Sequence, residues 1–556
     1  MCCATHRTCA AIKLKMTTLP LRITLSILTS AVAIRINTVA AAETNFVVVN
    51  TSAEPMQAGK FQPTWDSLKQ YQVPAWFRDA KFGIWAHWGA QCEPEDGDWY
   101  ARGMYQTNSG QYRFHTNHYG SPTQFGFKDV IHEWKAENWD PDKLLALYKR
   151  AGAQYFFALA NHHDNFDNWD SKYQPWNSVK IGPQKDLIGG WAKAARKYGL
   201  KFGVSVHAAH AWTWYEPSQD FDGKLTKADG AGKWWDGLDP QDLYAQNHAL
   251  SVDSRNPSKM GARWDWGNGA SIPDQAYCDK FYNRTMDLIN KYHPDLVYFD
   301  DTALPLWPVS DAGLKLAAHF YNSSIKWHGN DGVLFGKVLT PEQRKCMAWD
   351  IERGAANEIE PQPWQTDTCI GGWHYDRALY RRNGYKSTKT VIQMLCDIVS
   401  KNGNLLLSIP VRGDGTIDEK ELKIVQGIGD WMDVNKECIF STRPWKVFGE
   451  GPASAGSELR AQGFNEGRGK PLTAEDIRFT QKGNTLYAIV LGKPANGVKI
   501  KSLGTSAKLL DKRIGKVTLL GSKEKIQWQQ TDAALEIKQP ETVASDIANV
   551  FKIALR

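Results

Sequence analysis

The chain has 556 residues, 42% hydrophobic and 23% charged, a globular composition too long for one ordinary core. Its net charge of +7 does not indicate nucleic acid. Residues 1–42 carry Arg7, Lys13, Lys15, Arg22 and Arg35 and no acid, so removing these five cations leaves +2, and no basic cluster interleaved with aromatics follows.

In chain order, the first 42 residues read as an export signal. Basic residues precede an apolar run from Ile23 to Ile34, and Ala40, Ala41 and Ala42 supply a small-residue cleavage site. Translation from Met16 gives a leader of more usual length. The run falls short of the ~20 residues a membrane-spanning helix needs. The expectation is a mature protein that is exported, to the periplasm or the exterior, and not held in a membrane.

After a polar stretch to about Lys60, apolar strand-like runs alternate with helix-like segments. The runs are KFGIWAH from Lys81, QYFFALA from Gln154, KFGVSVH from Lys201 and DLVYFD from Asp295, then VLFGKV, CMAWDIE and GNLLLSIP. Between them DPDKLLALYKRAG predicts a helix capped by Asp140 and stopped at Gly152, and LIGGWAKAARKYG and TMDLINKYH predict two more. Such alternation predicts a parallel sheet with crossover helices, a (β/α)8 barrel over 60–443. From Pro444 short alternating runs split by Gly and Asn turns predict an antiparallel β-sandwich over 444–556.

Nine cysteines contain no C-x-x-C pair, so neither a zinc ribbon nor a disulfide framework is indicated. The 24 tryptophans suit core filling first and sugar stacking second. Chemistry concentrates where strand-like runs end. KFGIWAHWG delivers His87, YFFALANHHDNF delivers His162, His163 and Asp164, and LVYFDD delivers Asp300 and Asp301. In a barrel these ends share one face, where active sites lie. Taken singly, each has a plain structural reading: a strand-end carboxylate or a satisfied core histidine. No H-E-x-x-H spacing supports zinc, and neither a metal nor a cofactor is expected.

As an ordered set these segments resemble the α-L-fucosidases of glycoside hydrolase family 29. WFRDAKFGIWAHWG, DGDWYARGMY, YFFALANHHDNF, KDLIGGW, PDLVYFDD, PWQTDTCIGGWHY and DIVSKNGNLLLSIP carry the likeness over roughly residues 70 to 445. The resemblance implies a barrel followed by a sandwich, and retaining removal of terminal L-fucose from a fucosylated oligosaccharide or glycoconjugate. It implies Asp300 as nucleophile, with His87, Trp99, His162, His163 and Tyr298 around the sugar and Arg353 as a further contact.

The departures concern the proton donor. Members commonly read Trp-Glu where this chain has Trp364-Gln365, and Ser205-Val206-His207 replaces a usual Tyr-Tyr-Ser. Glu352, at the end of a predicted strand, is the first candidate for acid/base, Asp98 the second, and Glu358 and Glu360 remain open. Two functions follow: an active exo-α-L-fucosidase, or a relative acting on L-galactose, and a weakened fucose-binding protein that lost its acid at Gln365.

Overall fold

The computed structural model describes residues 46–556 apart from 253, 255–265, 268, 330–331, 455–458, 460–462 and 542–544. The expected export segment lies outside the described residues. Eight parallel strands close a barrel: β1 (Phe82–Ala86), β2 (Tyr155–Asn161), β3 (Lys201–Val206), β4 (Leu296–Phe299), β5 (Val333–Gly336), β6 (Ala348–Asp350), β7 (Trp364–Cys369) and β8 (Gly403–Ser408), with β8 pairing back to β1.

Seven of these strands were legible as apolar runs. The eighth, β7, reads Trp-Gln-Thr-Asp-Thr-Cys and looks like a loop, yet all six residues are buried. It escapes a hydrophobicity reading because its polar side chains find partners inside the barrel. Gln365 accepts from Tyr155 Oη at 2.9 Å and donates to Asp350 at 2.8 Å, and Asp367 accepts from Tyr298 Oη at 3.0 Å. Around this polar layer the interior is apolar, built from Phe77, Trp85, Phe157, Leu296, Phe335 and Leu406. Two glycines admit its large rings. A Cβ at Gly83 would sit 2.2 Å from the Tyr155 ring, and one at Gly203 2.6 Å from that of Phe157. Alanine there would cost about 1–3 kcal/mol through overpacking.

Helices cover the outside. Pro141–Arg150 begins as expected, with Asp140 accepting from the Lys143 amide, and Leu187–Lys197 and Gln275–Tyr292 follow β2 and β3. β5 to β6 and β6 to β7 are joined without an α-helix. No described helix is long and apolar enough to cross a membrane.

The remainder forms two antiparallel sheets. β9 (Arg443–Glu450), β10 (Ile477–Lys482), β11 (Thr485–Val490), β13 (Ile514–Leu519) and β16 (Asn549–Leu555) make a five-stranded sheet in the order β13-β16-β11-β10-β9. β12 (Val498–Ile500), β14 (Trp528–Gln530) and β15 (Leu535–Ile537) make a smaller one in the order β12-β15-β14. Phe479, Val490 and Phe551 from the first share a core with Ile500, Leu535 and Ile537 from the second. Arg478 of β10 reaches the barrel, where its guanidinium donates to Asp397 at 2.6 Å. Cys92, Cys278, Cys346, Cys369, Cys396 and Cys438 are all buried free thiols.

Candidate active site

Side chains alternate along a strand, so every second residue of a barrel strand points inward. Continuing that alternation past the strand ends brings His87, His207, Asp300 and Lys337, each one residue beyond β1, β3, β4 and β5, together with Glu352, two residues beyond β6, to the same face of the barrel. They line a cavity of about 330 Å³, with His162, His374, Trp85, Trp99, Trp373 and Tyr298 in its walls. That volume is at the low end for ligand pockets and suits a single sugar.

Asp300 is the centre of the hydrogen bonding. Its Oδ2 lies 3.0 Å from His163 Nε2 and accepts from His207 Nδ1 at 3.1 Å, and its Oδ1 is contacted by the Lys337 ammonium. Burial alone would raise its pKa, but Lys337, His207 and His163 outweigh that and hold it well below the ordinary carboxylate range. Glu352 Oε2 lies 2.6 Å from the same Lys337 ammonium. Here burial dominates, and with the charges of Asp367 and Asp300 it outweighs Lys337 and pushes Glu352 up to about 7. One ammonium touching both carboxylates keeps them no more than two hydrogen-bond lengths apart, within the roughly 5 Å that double displacement at a sugar uses.

The histidines are arranged to meet hydroxyl groups. Gln91 is oriented by the Ala101 amide on its oxygen at 3.3 Å and the Asp164 carboxylate on its nitrogen at 3.2 Å, and that nitrogen also donates to His162 Nδ1 at 2.8 Å. The His162 proton therefore sits on Nε2, as a donor. Both ring nitrogens of His87 and of His374, and Nε2 of His207, have no hydrogen-bond partner among the described residues although buried. Burial, reinforced by neighbouring imidazoles, holds His87 and His162 well below the usual histidine value, and burial brings His207 to about 4. Neutral rings offer one donor and one acceptor each. His87, His162 and His207 present nitrogens within 4.8 Å of one another, as do the atoms of His163, His207 and Asp300. A metal on His162 Nε2 would move its proton to Nδ1, against the Gln91 amide N–H, so the first set fits hydroxyls better than a cation.

Several residues fall elsewhere than the sequence suggested. Arg353 does not line the cavity; its guanidinium lies 3.6 Å from Glu466 and is half-exposed. His163 stands behind the cavity wall, its Nδ1 2.7 Å from the His207 carbonyl oxygen. Asp98 binds the His374 amide, Glu360 faces Arg344 at 3.6 Å, and Glu358 is exposed, none of them lining the cavity. Gln365 lies in the polar layer of the barrel interior, so its difference from Glu removes no carboxyl from the cavity wall. Asp301 also lines the cavity, where it accepts from His210 at 3.0 Å and from the Thr302 amide at 2.7 Å. Sequence reasoning missed His207, His374, Lys337, Asp367 and Trp373. His207 and Lys337 obey the same strand-end rule as Asp300 and were within its reach.

A family model for alpha-L-fucosidases matches residues 48–437, and one for the alpha-L-fucosidase C-terminal domain matches residues 470–554. The chain belongs to the alpha-L-fucosidase family. It is 26% identical to the tissue alpha-L-fucosidase of Homo sapiens over 509 residues, 88% of this chain and 90% of that one. The Mus musculus enzyme is likewise 26% identical over 489 residues, 85% of this chain and 88% of its own. The solved alpha-fucosidase of Thermotoga maritima in complex with fucose is 26% identical, with a TM-score of 0.65 over 89% of this chain and 100% of that one. As a member of the alpha-L-fucosidase family this chain is a glycoside hydrolase, and the family implies fucosylated glycan substrates.

Proposed function

We propose that the chain is an exported, retaining exo-α-L-fucosidase working through a covalent fucosyl-enzyme on Asp300. The observation that carries this is the shared ammonium of Lys337, which brings Asp300 and Glu352 to double-displacement distance while their environments drive their pKa values apart. Asp300, ionised, attacks the anomeric carbon. Glu352, protonated below about pH 7, gives its proton to the departing glycosidic oxygen. It then takes a proton from the water that cleaves the ester and releases fucose with its configuration retained. Neutral His87 and His162, together with His374, bind the ring hydroxyls, and Trp85, Trp99 and Trp373 face the C–H bonds of the sugar.

The rival reading as a weakened fucose binder rested on Gln365, a residue bonded inside the barrel, and draws no support from the cavity. Export is supported by the basic and apolar pattern of residues 1–42.

The test is trapping. A 2-deoxy-2-fluoro-α-L-fucosyl fluoride should label the enzyme stoichiometrically on the peptide holding Asp300, and proton NMR should show the α-anomer of fucose appearing first from an aryl fucoside. First release of the β-anomer, or a label on Asp301, overturns the assignment.

A further inference from the structure

The cavity accounts for the fucosyl group but leaves the other half of a fucoside without a partner. Glu352 stands where the departing oxygen must be protonated, so the leaving group has to lie on its solvent side. Two large apolar side chains stand there. Phe464 and Val338 line the cavity mouth and are 59% and 54% exposed. The other exposed large apolar side chains, such as Trp234 and Val252, do not line it.

Both residues are held in place at a cost. Val338 has φ +50° and Phe464 φ +52°, a region β-branched and bulky residues rarely enter and one that recurs at ligand clamps. The segment carrying Phe464 belongs to the stretch after the barrel, yet it is bonded to the acid's own loop. The Phe464 amide donates to the Glu352 carbonyl at 2.7 Å, and the Glu466 amide to that of Arg353 at 2.8 Å. Asn465 pairs twice with the Ala355 backbone, at 2.8 and 3.0 Å. The Glu466 carboxylate meets Lys386 at 2.7 Å and accepts from Thr368 Oγ1 at 2.7 Å. An exposed phenyl ring is thus carried on the residue whose own amide bonds the backbone carbonyl of Glu352.

We propose that Phe464, with Val338 at the same cavity mouth, forms the leaving-group subsite, and that it takes a pyranose through its C–H face. This rests on the reading of the cavity as a fucosidase site. The face of a phenyl ring is negative and C–H bonds are positive at hydrogen, so a sugar ring stacks on it with little demand for matched hydroxyls. The wall around the fucosyl group is rich in histidine and the mouth is apolar. The two halves of the substrate are therefore recognised by different chemistry, strict for fucose and tolerant for its partner.

The experiment compares two substrates that share the fucosyl half: α-L-fucosyl fluoride, whose leaving group is one atom, and a fucosyl-α-hexose disaccharide. Phe464→Ala should lower the disaccharide-to-fluoride ratio of kcat/KM about 3- to 10-fold, the worth of one aromatic contact, and Phe464→Tyr should restore it. An unchanged ratio, whether both substrates slow together or neither does, overturns the subsite. Should the unaltered enzyme cleave neither substrate, the fucosidase reading itself fails, a result separable from failure of the subsite.

Discussion

Lys337 lies 2.6 Å from Glu352 and on its other side contacts Asp300, so one cation sets the charge of both carboxylates. Take it away and both pKa values rise, because each loses its nearest positive neighbour. In Lys337→Met the basic limb of the kcat/KM profile should move upward from near pH 7, and turnover should drop as Asp300 becomes a poorer anion. A fixed basic limb would separate Lys337 from the titration of Glu352.

For the unaltered enzyme, kcat/KM should be full below about pH 7 and fall above it, because Glu352 must be protonated to act as acid and its pKa is raised to about 7. Glu352→Gln should abolish that limb and slow natural fucosides by about 10²- to 10⁴-fold. Substrates with activated leaving groups should suffer less, and azide should speed turnover of the fucosyl-enzyme. A pH–rate profile on an aryl and a natural fucoside, run with and without azide, checks all four.

Asp300→Asn should reduce turnover by several powers of ten while fucose still binds, since the covalent path closes. Asp301→Asn should act mainly on stability, because its oxygens serve His210 and the Thr302 amide. Kinetics paired with thermal unfolding distinguish the two. An inactive but fully stable Asp301→Asn alongside an active Asp300→Asn would exchange their roles.

Gln365→Glu should not strengthen catalysis. It adds a carboxyl against Asp350, whose pKa burial already raises to about 7, deep in the barrel. The expected result is unchanged or lower activity and a loss of roughly 1–3 kcal/mol in stability, the cost of an ill-matched buried polar group. A rise in kcat on natural fucosides would return the acid to this position.

Asp397 joins the barrel to Arg478 of the sandwich. Burial alone would raise it, but Lys401 and Arg478 outweigh that and bring its pKa down to about 2. A depressed carboxylate contributes stability that is full above its unfolded value of about 4 and is lost as pH falls toward 2. Asp397→Asn should cost about 3–5 kcal/mol at pH 7 by stranding a buried guanidinium. It should also flatten the stability curve between pH 4 and pH 2, measured by urea unfolding.

The sequence carried the barrel because most of its strands are buried apolar runs, each ending in a polar side chain that needs a reason to be there. It hid β7 because Gln365 and Asp367 are polar residues inside a strand, satisfied by partners from β2, β4 and β6 that no local pattern reveals. Asp300 was readable from its position after Leu-Val-Tyr-Phe. Lys337 and His207 occupy the same kind of position and were passed over, because a lone Lys or His there has no chemistry until a carboxylate faces it. Phe464 had no signal at all, since its meaning comes from backbone bonds to a loop over a hundred residues earlier.

Those backbone bonds bear on how the molecule can be divided. A fragment cut after the barrel's last helix would keep every barrel strand, both carboxylates and the whole histidine wall. It would release the loop of Glu352 from the three residues that hold it and leave the mouth without its phenyl ring. The β-rich tail is thus a working part of the enzyme, and shortening the chain to its barrel should leave a protein that still grips fucose and no longer steadies its acid.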